Sequence, residues 1–443
     1  MMRSLFIIAV MLSSPMPATT PRASDAPHDD LIRFNIRGGW CWFQDERAIV
    51  DRGKLIFGSV ASPSGDVNVT SFDLRSGDAV TVALHERLQS DDHDAPALLK
   101  LADGRYLVAY TRHGDDRLMR WRISLEAGDA TRWGPERTLD VGDDATYANL
   151  YRLSAENGGR GRVYNFHRGV GYDPNYLLSD DDGRTFRYGG RLFDWPAQPA
   201  RRGSGRPYVR YASDGIDTIH FIATEDHPLH VNNSIYHGYI RAGKVHRSDG
   251  TIAAELSGTR ETSLRPTDLT CVFKGDADHI AWTSDIRLDV DGRPCIAFSV
   301  RQGAADDFRY YCARFEGGSW SVHPLAHAGT CLYAEERDYS GLVTLDPADP
   351  NIVYISTNSD PVTGEPLISR ADGRRHWELF KAHTRDGGVR WEWTRITSDS
   401  TLDNLRPIAR AVDDRGTIVL WLRGTYRRYT DYDLEVVGKL LER

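Results

Sequence analysis

The sequence predicts an all-β fold, a seven-bladed β-propeller, on three observations: short strands along the whole chain, turn signals at matching intervals, and a hairpin motif suited to a blade. From Leu31 onward, runs such as "KLIFGSV", "RYLVAY", "RVYNFHR", "TIHFIAT", "PCIAFSV", "NIVYIST" and "TIVLWLR" recur. Gly, Asp or Asn breaks them at intervals of roughly 8–12 residues, as short antiparallel strands require. Turn chemistry recurs at Ala102–Gly104, Ser213–Gly215, Asp289–Gly292 and Ala371–Gly373. No segment sustains a helical apolar period, so helix content is expected to be low.

The hairpin motif is "SDDDGRTF", Ser179–Phe186, which fits the Asp-box pattern S-x-D-x-G-x-T-W/F, with a degenerate copy "TRDGGVRW" at Thr384–Trp391. Its Ser and Asp side chains are expected to bond nearby amides while the aromatic anchors the hairpin, a structural device. At roughly 50–60 residues per four-stranded blade, the chain holds about seven. The early "CWFQDERAIV" and the C-terminal "TIVLWLRGTYRRYTDYDLEVV" are expected to share one blade and close the ring.

Residues 1–24 read as a signal peptide: Arg3, an apolar run from Leu5 to Leu12, then a small, Pro-rich stretch with cleavage expected between Ala18 and Ala26. Residues 25–443 are then a single propeller domain, secreted or periplasmic, monomeric and not membrane-bound, since the apolar run is short of the roughly 20 residues a span needs. The formal net charge of -8 argues against a nucleic-acid partner. It leaves an acidic substrate open, because clustered Arg and His can make a positive cleft on an acidic protein. Five cysteines are too few for a disulfide framework, and the odd number leaves at least one unpaired.

In a propeller, inner strand ends surround a funnel where ligands bind. His93 and His113 bracket a hairpin that turns at Asp103–Gly104, so both imidazoles are expected to face one cavity. The plainer alternative makes His93 a turn residue bonded by Asp91 or Asp92. Arg168 follows a strand in "YNFHRG", and Arg206 and Arg210 flank Tyr208 in "GRPYVRY". An Arg fork matches a carboxylate or sulfate, and His and Tyr can move protons beside it. Without a close pair of acids the set fits a glycosidase poorly and β-elimination on a uronate well.

These residues carry a resemblance. "GGWCWFQDERAIV", the "DDHDAPALL…DGRYLVAYTRHG" hairpin, "TYANLYRL", "GRPYVRY" with "IHFIATEDHP", "SIYH", "AWTSDIRLDVDGRPCIAF" and "LRPIAR" resemble the BNR-repeat family of seven-bladed propellers that includes ulvan lyases. The resemblance implies a polysaccharide lyase acting at a rhamnosyl-(1→4)-uronate linkage of an acidic, ulvan-like polysaccharide. It places His93 and His113 as the histidine pair, Arg168 at the carboxylate, Tyr208 as the catalytic tyrosine, and Tyr147 as a second candidate, with Tyr151 left open beside Tyr147. Arg206, Arg210, His227, Tyr236 and His237 are expected to bind substrate. The resemblance also implies a structural Zn²⁺ and no organic cofactor. His279, Cys295, Cys312 and His327 are the candidate ligands, although the cysteines read equally well as small buried apolar groups. A hydrolase of rhamnosidase or sialidase type and a non-catalytic carbohydrate-binding propeller are the competing readings.

Overall fold

The computed structural model describes residues 31–442 apart from 43, 46, 197–204 and 304–306. The expected signal peptide lies outside the described residues. Seven antiparallel sheets follow one another along the chain, and each blade runs outward from its first strand. The innermost strands are Ala48–Asp51, Ala97–Lys100, Thr146–Leu153, Val209–Ser213, His279–Leu288, Val343–Leu345 and Asp403–Val412, in blades one to seven. Blade four is enlarged: Ile252–Glu255 extends it, and Thr270–Phe273 pairs with the Ile235–His237 end of its third strand. Among the described residues the helical segments are 3-10 turns of three residues each.

The ring closes in blade seven, though not with the segment expected. Its outermost strand is Ile32–Asn35, which pairs with Asp431–Leu441, so the blade joins both ends of the described chain. The Ala48–Val50 end of "CWFQDERAIV" belongs to blade one instead. There Ala48–Asp51 turns tightly at Arg52–Gly53 onto Lys54–Phe57, a local pairing that leaves no strand to lend.

Apolar residues alternate onto both faces of each sheet and meet between neighbouring blades. Leu107, Met119 and Trp121 of blade two pack with Leu150, Val163 and Leu177 of blade three. Phe308 and Tyr310 of blade five pack likewise with Val353 and Phe380 of blade six. The Asp box locks the outer hairpin of blade three. Ser179 Oγ accepts from the Gly183 amide (2.8 Å), and Asp181 accepts from the Thr185 amide and hydroxyl (2.9 and 2.7 Å). Gly183 sits at φ +79, where only glycine is unstrained, and its carbonyl accepts from Trp121 Nε1 of blade two (2.8 Å). The degenerate copy occupies the same hairpin of blade six, with Thr384 and Asp386 in the Ser and Asp places.

Candidate active site

Inner strands all begin at one mouth of the central channel, and there the sequence's two histidines meet. Asp92–Asp94 forms a 3-10 turn capped by Asp91, whose side chain accepts from the His93 amide. The chain then descends as Ala97–Lys100 and returns as Tyr106–Tyr110, delivering His113 beside it. The two imidazoles stack at 3.7 Å with planes 13° apart. One carboxylate ties both: Nδ1–H of His93 donates to Asp91 Oδ1 (2.6 Å) and Nδ1–H of His113 to Oδ2 (2.9 Å). Both expectations for His93 therefore hold at once, a turn residue bonded by Asp91 and half of a pair. The edge of Tyr429 closes on both rings, at 5.2 Å from His93 and 5.5 Å from His113.

Stacking two titratable rings on one anion splits their protonation. Burial works against charge on His93, but Cys41, Asp91 and Tyr147 around it outweigh that and raise its pKa well above the usual value. For His113 burial and the neighbouring His93 charge prevail over Asp91 and pull the pKa down to about 4. At neutral pH His93 is an imidazolium. His113 is neutral, with its Nδ1 proton on Asp91 and the Nε2 lone pair free to accept a proton. The His113 side chain is 23% exposed against 3% for His93, so His113 is the ring that solvent and ligand reach.

Arg168, at the end of the second strand of blade three, completes the mouth. Its guanidinium lies 4.8 Å from the Tyr147 ring centroid and 4.9 Å from that of Tyr208, a cation held between two aromatic faces. It is 5% exposed, and neither Nε nor Nη2 has a hydrogen-bond partner among the described residues. Burial disfavours its charge, but Tyr147 and Tyr208 outweigh burial and raise its pKa. Tyr147 is presented by a β-bulge: the register slips between Thr146 and Asn149, and Tyr147 takes φ +68, strained for an aromatic residue. The bulge aims the side chain at the mouth. Its hydroxyl, raised above the ordinary phenol range mainly by burial, has no hydrogen-bond partner among the described residues. Tyr151, four residues on, is far down the same strand, where its hydroxyl donates to the Tyr211 carbonyl (3.1 Å).

Blade seven holds the floor through Arg406, on a second bulge with φ +54. Its guanidinium stacks on Trp42 and Tyr426, and Nη1 donates to Asp92 Oδ2 (2.8 Å), which also accepts from the Tyr426 hydroxyl (2.8 Å). That fixes the turn carrying His93. On the other side His227 packs on Trp282 (4.7 Å) and Tyr208 (5.7 Å) and faces Glu336 Oε2 at 3.5 Å. The Leu229 amide donates to its Nδ1, and burial, then Arg206, depress its pKa well below the usual value, so the ring is neutral.

Of the expected substrate-binding residues, Arg206 and His227 are at this mouth and three are not. Arg210 points down the channel and donates to the carbonyls of Trp42 and Gln44. Tyr236 and His237 lie on the third strand of blade four, two steps of roughly 4.8 Å out from the innermost strand. Tyr236 donates to Glu225 (2.9 Å), while His237 meets Ser248 (2.8 Å), His220 (3.2 Å) and the Trp320 ring. Arg210, Tyr236 and His237, expected at the mouth, thus lie away from it, because a strand pattern does not reveal distance from the axis.

The expected zinc ligands do not form one site. On the second strand of blade five, His279 pairs with Gln302 and Cys295 with Arg287, seven positions apart or roughly 23 Å. His279 faces Asp276 (3.0 Å), and His327 abuts Arg309 across from Val300. Cys295 and Cys312 do lie on neighbouring strands, but burial pushes their thiols up to about 11 and about 12, away from the thiolates that zinc takes. Both are 3% exposed and sit in the sheet as small apolar groups, neither in a disulfide. At the mouth, ligand atoms of Asp91, His93 and His113 lie within 4.8 Å of one another. Asp91 already spends both its oxygens on the two rings.

Sequence reasoning missed Asp91 as the tie, along with Trp42, Trp282, Glu336, Arg406, Tyr426 and Tyr429. Asp91 was legible in "SDDHD"; the others arrive from blades one, five and seven and the connection between blades five and six, and carry no local signal.

Residues 57–328 match the model of the BNR repeat-containing family. No curated protein matches the chain. Among solved structures the chain is similar to a polysaccharide lyase described as a PL25 ulvan lyase, at 15% identity over 93% of this chain and 95% of that one, with a TM-score of 0.62. A structure of such a lyase bound to -[GlcA(1-4)Rha3S]- gives a TM-score of 0.61 at the same identity and coverage. The polysaccharide lyase Uly1 gives 0.52 at 11% identity over 92% of each chain. At these identities the likeness is one of fold, and it extends over nearly the whole ring. With a family model matching more than half of its length and the seven blades that the repeats imply, this chain belongs to the BNR repeat-containing family.

Proposed function

We propose that the chain is an exported polysaccharide lyase that breaks a rhamnosyl-(1→4)-uronate bond of an acidic, ulvan-like polysaccharide by β-elimination. The observation that carries this reading is Arg168: a buried guanidinium held between two tyrosines, its Nε and Nη2 without an acceptor among the described residues, beside a neutral histidine. Such a cation suits a substrate carboxylate. Neutralising the C6 carboxylate acidifies the C5 proton and stabilises the enolate formed when that proton leaves.

His113 Nε2 takes the C5 proton, because Asp91 holds the ring with Nδ1 protonated and its low pKa keeps Nε2 unprotonated at neutral pH. The electron pair forms the C4=C5 bond as C4–O4 breaks. The oxygen departs with the rhamnose and takes a proton from Tyr147, whose raised pKa keeps its hydroxyl protonated. His93, as imidazolium, holds Asp91 in place and His113 neutral. Tyr208 fixes the second face of Arg168. Of the acids near the mouth, Asp91 is committed to both histidines and Asp92 to Arg406 and Tyr426, while Glu336 stands 3.5 Å from His227.

Incubation of purified protein with ulvan tests the reading. A rise in the ultraviolet band of the conjugated uronate supports the lyase. Reducing ends without that band indicate a hydrolase, and neither signal indicates a binding protein. Tyr147→Phe, which removes only the hydroxyl, is expected to lower kcat by about 10²–10⁴ with binding retained.

A further inference from the structure

The outer edge of the ring holds a cavity that the proposed reaction leaves unused. It measures about 560 Å³, within the roughly 300–1,000 Å³ that small-molecule sites take, and lies where blade six meets the outermost strand of blade five. Blade six supplies Trp391 and Trp393, and the edge strand of blade five, Ser319–Gly329, supplies Pro324 to His327. Arg309 lines it near the start of the third strand of blade five, on the mouth side, and Arg390 lines it from the degenerate Asp box of blade six, on the far side. The cleft therefore spans the rim from one face of the ring to the other.

Its tryptophans are fixed in position without being covered. In the Asp box of blade three the closing aromatic, Phe186, is 8% exposed and meets Trp121 of blade two edge-on at 5.2 Å, filling the joint between blades. Its counterpart in blade six, Trp391, is only half-buried and borders the cleft. The copy is nonetheless firmly seated: Gly388 lies against Cys312 of blade five, where a Cβ would meet Sγ at 2.8 Å, and Trp391 Nε1 donates to the Gly388 carbonyl (3.1 Å). Trp393, two residues on, is also half-buried, and its ring stands edge-on to Phe380 at 6.4 Å. Val362 and Val389 beside them are 66% and 57% exposed. Two indoles held rigid beside open space form an apolar platform, and a pyranose ring has a C–H face to lay on it.

The edge strand argues against a peptide as the occupant. Its register slips at Leu325 and again at Ala328, and Pro324 has no amide proton to donate. Bulges and proline blunt an edge against strand addition. The cations favour a saccharide that carries charge. Arg390 is exposed, and Arg309 is held to Asp307 (2.7 Å) by a pair whose side chains are 24% and 41% exposed, weak enough to open for a carboxylate or sulfate.

We propose that this rim cleft is a second carbohydrate-binding site, in which rings of an acidic polysaccharide lie on Trp391 and Trp393 while their charged groups meet Arg309 and Arg390. The inference rests on the substrate class proposed above and adds a hold on the polymer away from the point of cleavage.

Full-length protein carrying Tyr147→Phe, which removes the proposed proton donor, keeps the ligand intact during the test. Calorimetric titration with an ulvan hexasaccharide is expected to show a site that Trp391→Ala combined with Trp393→Ala weakens at least about tenfold, as truncation of aromatic anchors does. Binding unchanged in that variant, however many sites the parent shows, overturns the proposal. Should the double variant not fold, Arg390→Glu on the exposed lip carries the same test, with a loss of about threefold expected and unchanged affinity again overturning it. A neutral glucan hexasaccharide should bind at least about tenfold more weakly, and equal affinity overturns the acidic class. Wild-type protein that cleaves nothing, yet whose hexasaccharide binding depends on the tryptophans, would sink the proposed reaction and leave this site standing. Cleavage combined with binding that ignores the tryptophans would do the reverse.

Discussion

The two ends of the channel are built from the same inner strands and differ in kind. At the mouth stand groups whose charge can change, His93, His113, His227 and Tyr147, with Arg168 among them. At the far end stand groups whose charge is permanent, four arginines facing two aspartates. Bulges at Tyr147 and Arg406 mark the upper end of their strands, where the backbone is bent to aim one side chain. Below them the strands run regular, and alternation alone decides what points inward. Proton-transfer chemistry needs aimed, adjustable groups.

The largest expected effect separates the two ends by pH. Burial depresses His113, His167 and His220 to about 4, and His227 and His237 well below the usual range. Each depressed histidine binds a proton in the unfolded chain before the folded one can. Stability therefore falls as pH drops from the unfolded value of about 6.5 toward 4, by as much as ~1.4 kcal/mol per pH unit for each proton taken up on unfolding. His93 has the opposite sign: its raised pKa gives stability that is full below about 6.5 and is lost only as pH rises through its folded value. Urea midpoints measured from pH 7 down to pH 5 should fall by the equivalent of several kcal/mol. A flat profile would show that the histidines are not buried neutral.

Next comes Arg168→Ala, expected to cost about 10³–10⁴ in kcat/KM, roughly 4–5.5 kcal/mol of transition-state stabilisation, with little change in fold. Near-normal turnover in this variant, or in His113→Ala, would break the division of labour drawn at the mouth.

Arg406→Met tests the floor. It leaves Asp92 buried and short of its cation, which costs about 3–5 kcal/mol when one partner of a buried pair is lost. Arg410→Gln, four residues down the same strand and half-buried, should cost well under half of that by the same urea measurement. Equal losses would mean that position along the strand does not matter.

How much of this the sequence showed follows from how local each feature is. The histidine pair was legible because one hairpin, Ala97–Tyr110, carries both ends, and the Asp box because eight residues contain the bonds that shape its turn. Arg406, Tyr429 and Glu336 were not, since ring closure brings them from blades far along the chain. Tyr236 and His237 misled because a strand's sequence does not state its rank within a blade. The closing strand was misplaced for a related reason: Ile32–Asn35 is short and half-polar, whereas Ala48–Asp51 reads as a strand but pairs locally.

The smallest effect lies outside the channel and calibrates it. Asp181 of the Asp box accepts from Ser179 Oγ, the Thr185 amide and the Thr185 hydroxyl; Asp386 of the degenerate copy accepts from Thr384 Oγ1 and the Arg390 amide. The extra bond is the hydroxyl of Thr185, whose counterpart in "TRDGGVRW" is Arg390, a residue that brings its amide and no hydroxyl. Asp181→Ala should therefore cost about 2 kcal/mol and Asp386→Ala about 1. Both hairpins sit at the outer edge of their blades, so neither change should move turnover. A loss of turnover with stability intact would mean that the rim of the blade speaks to the axis.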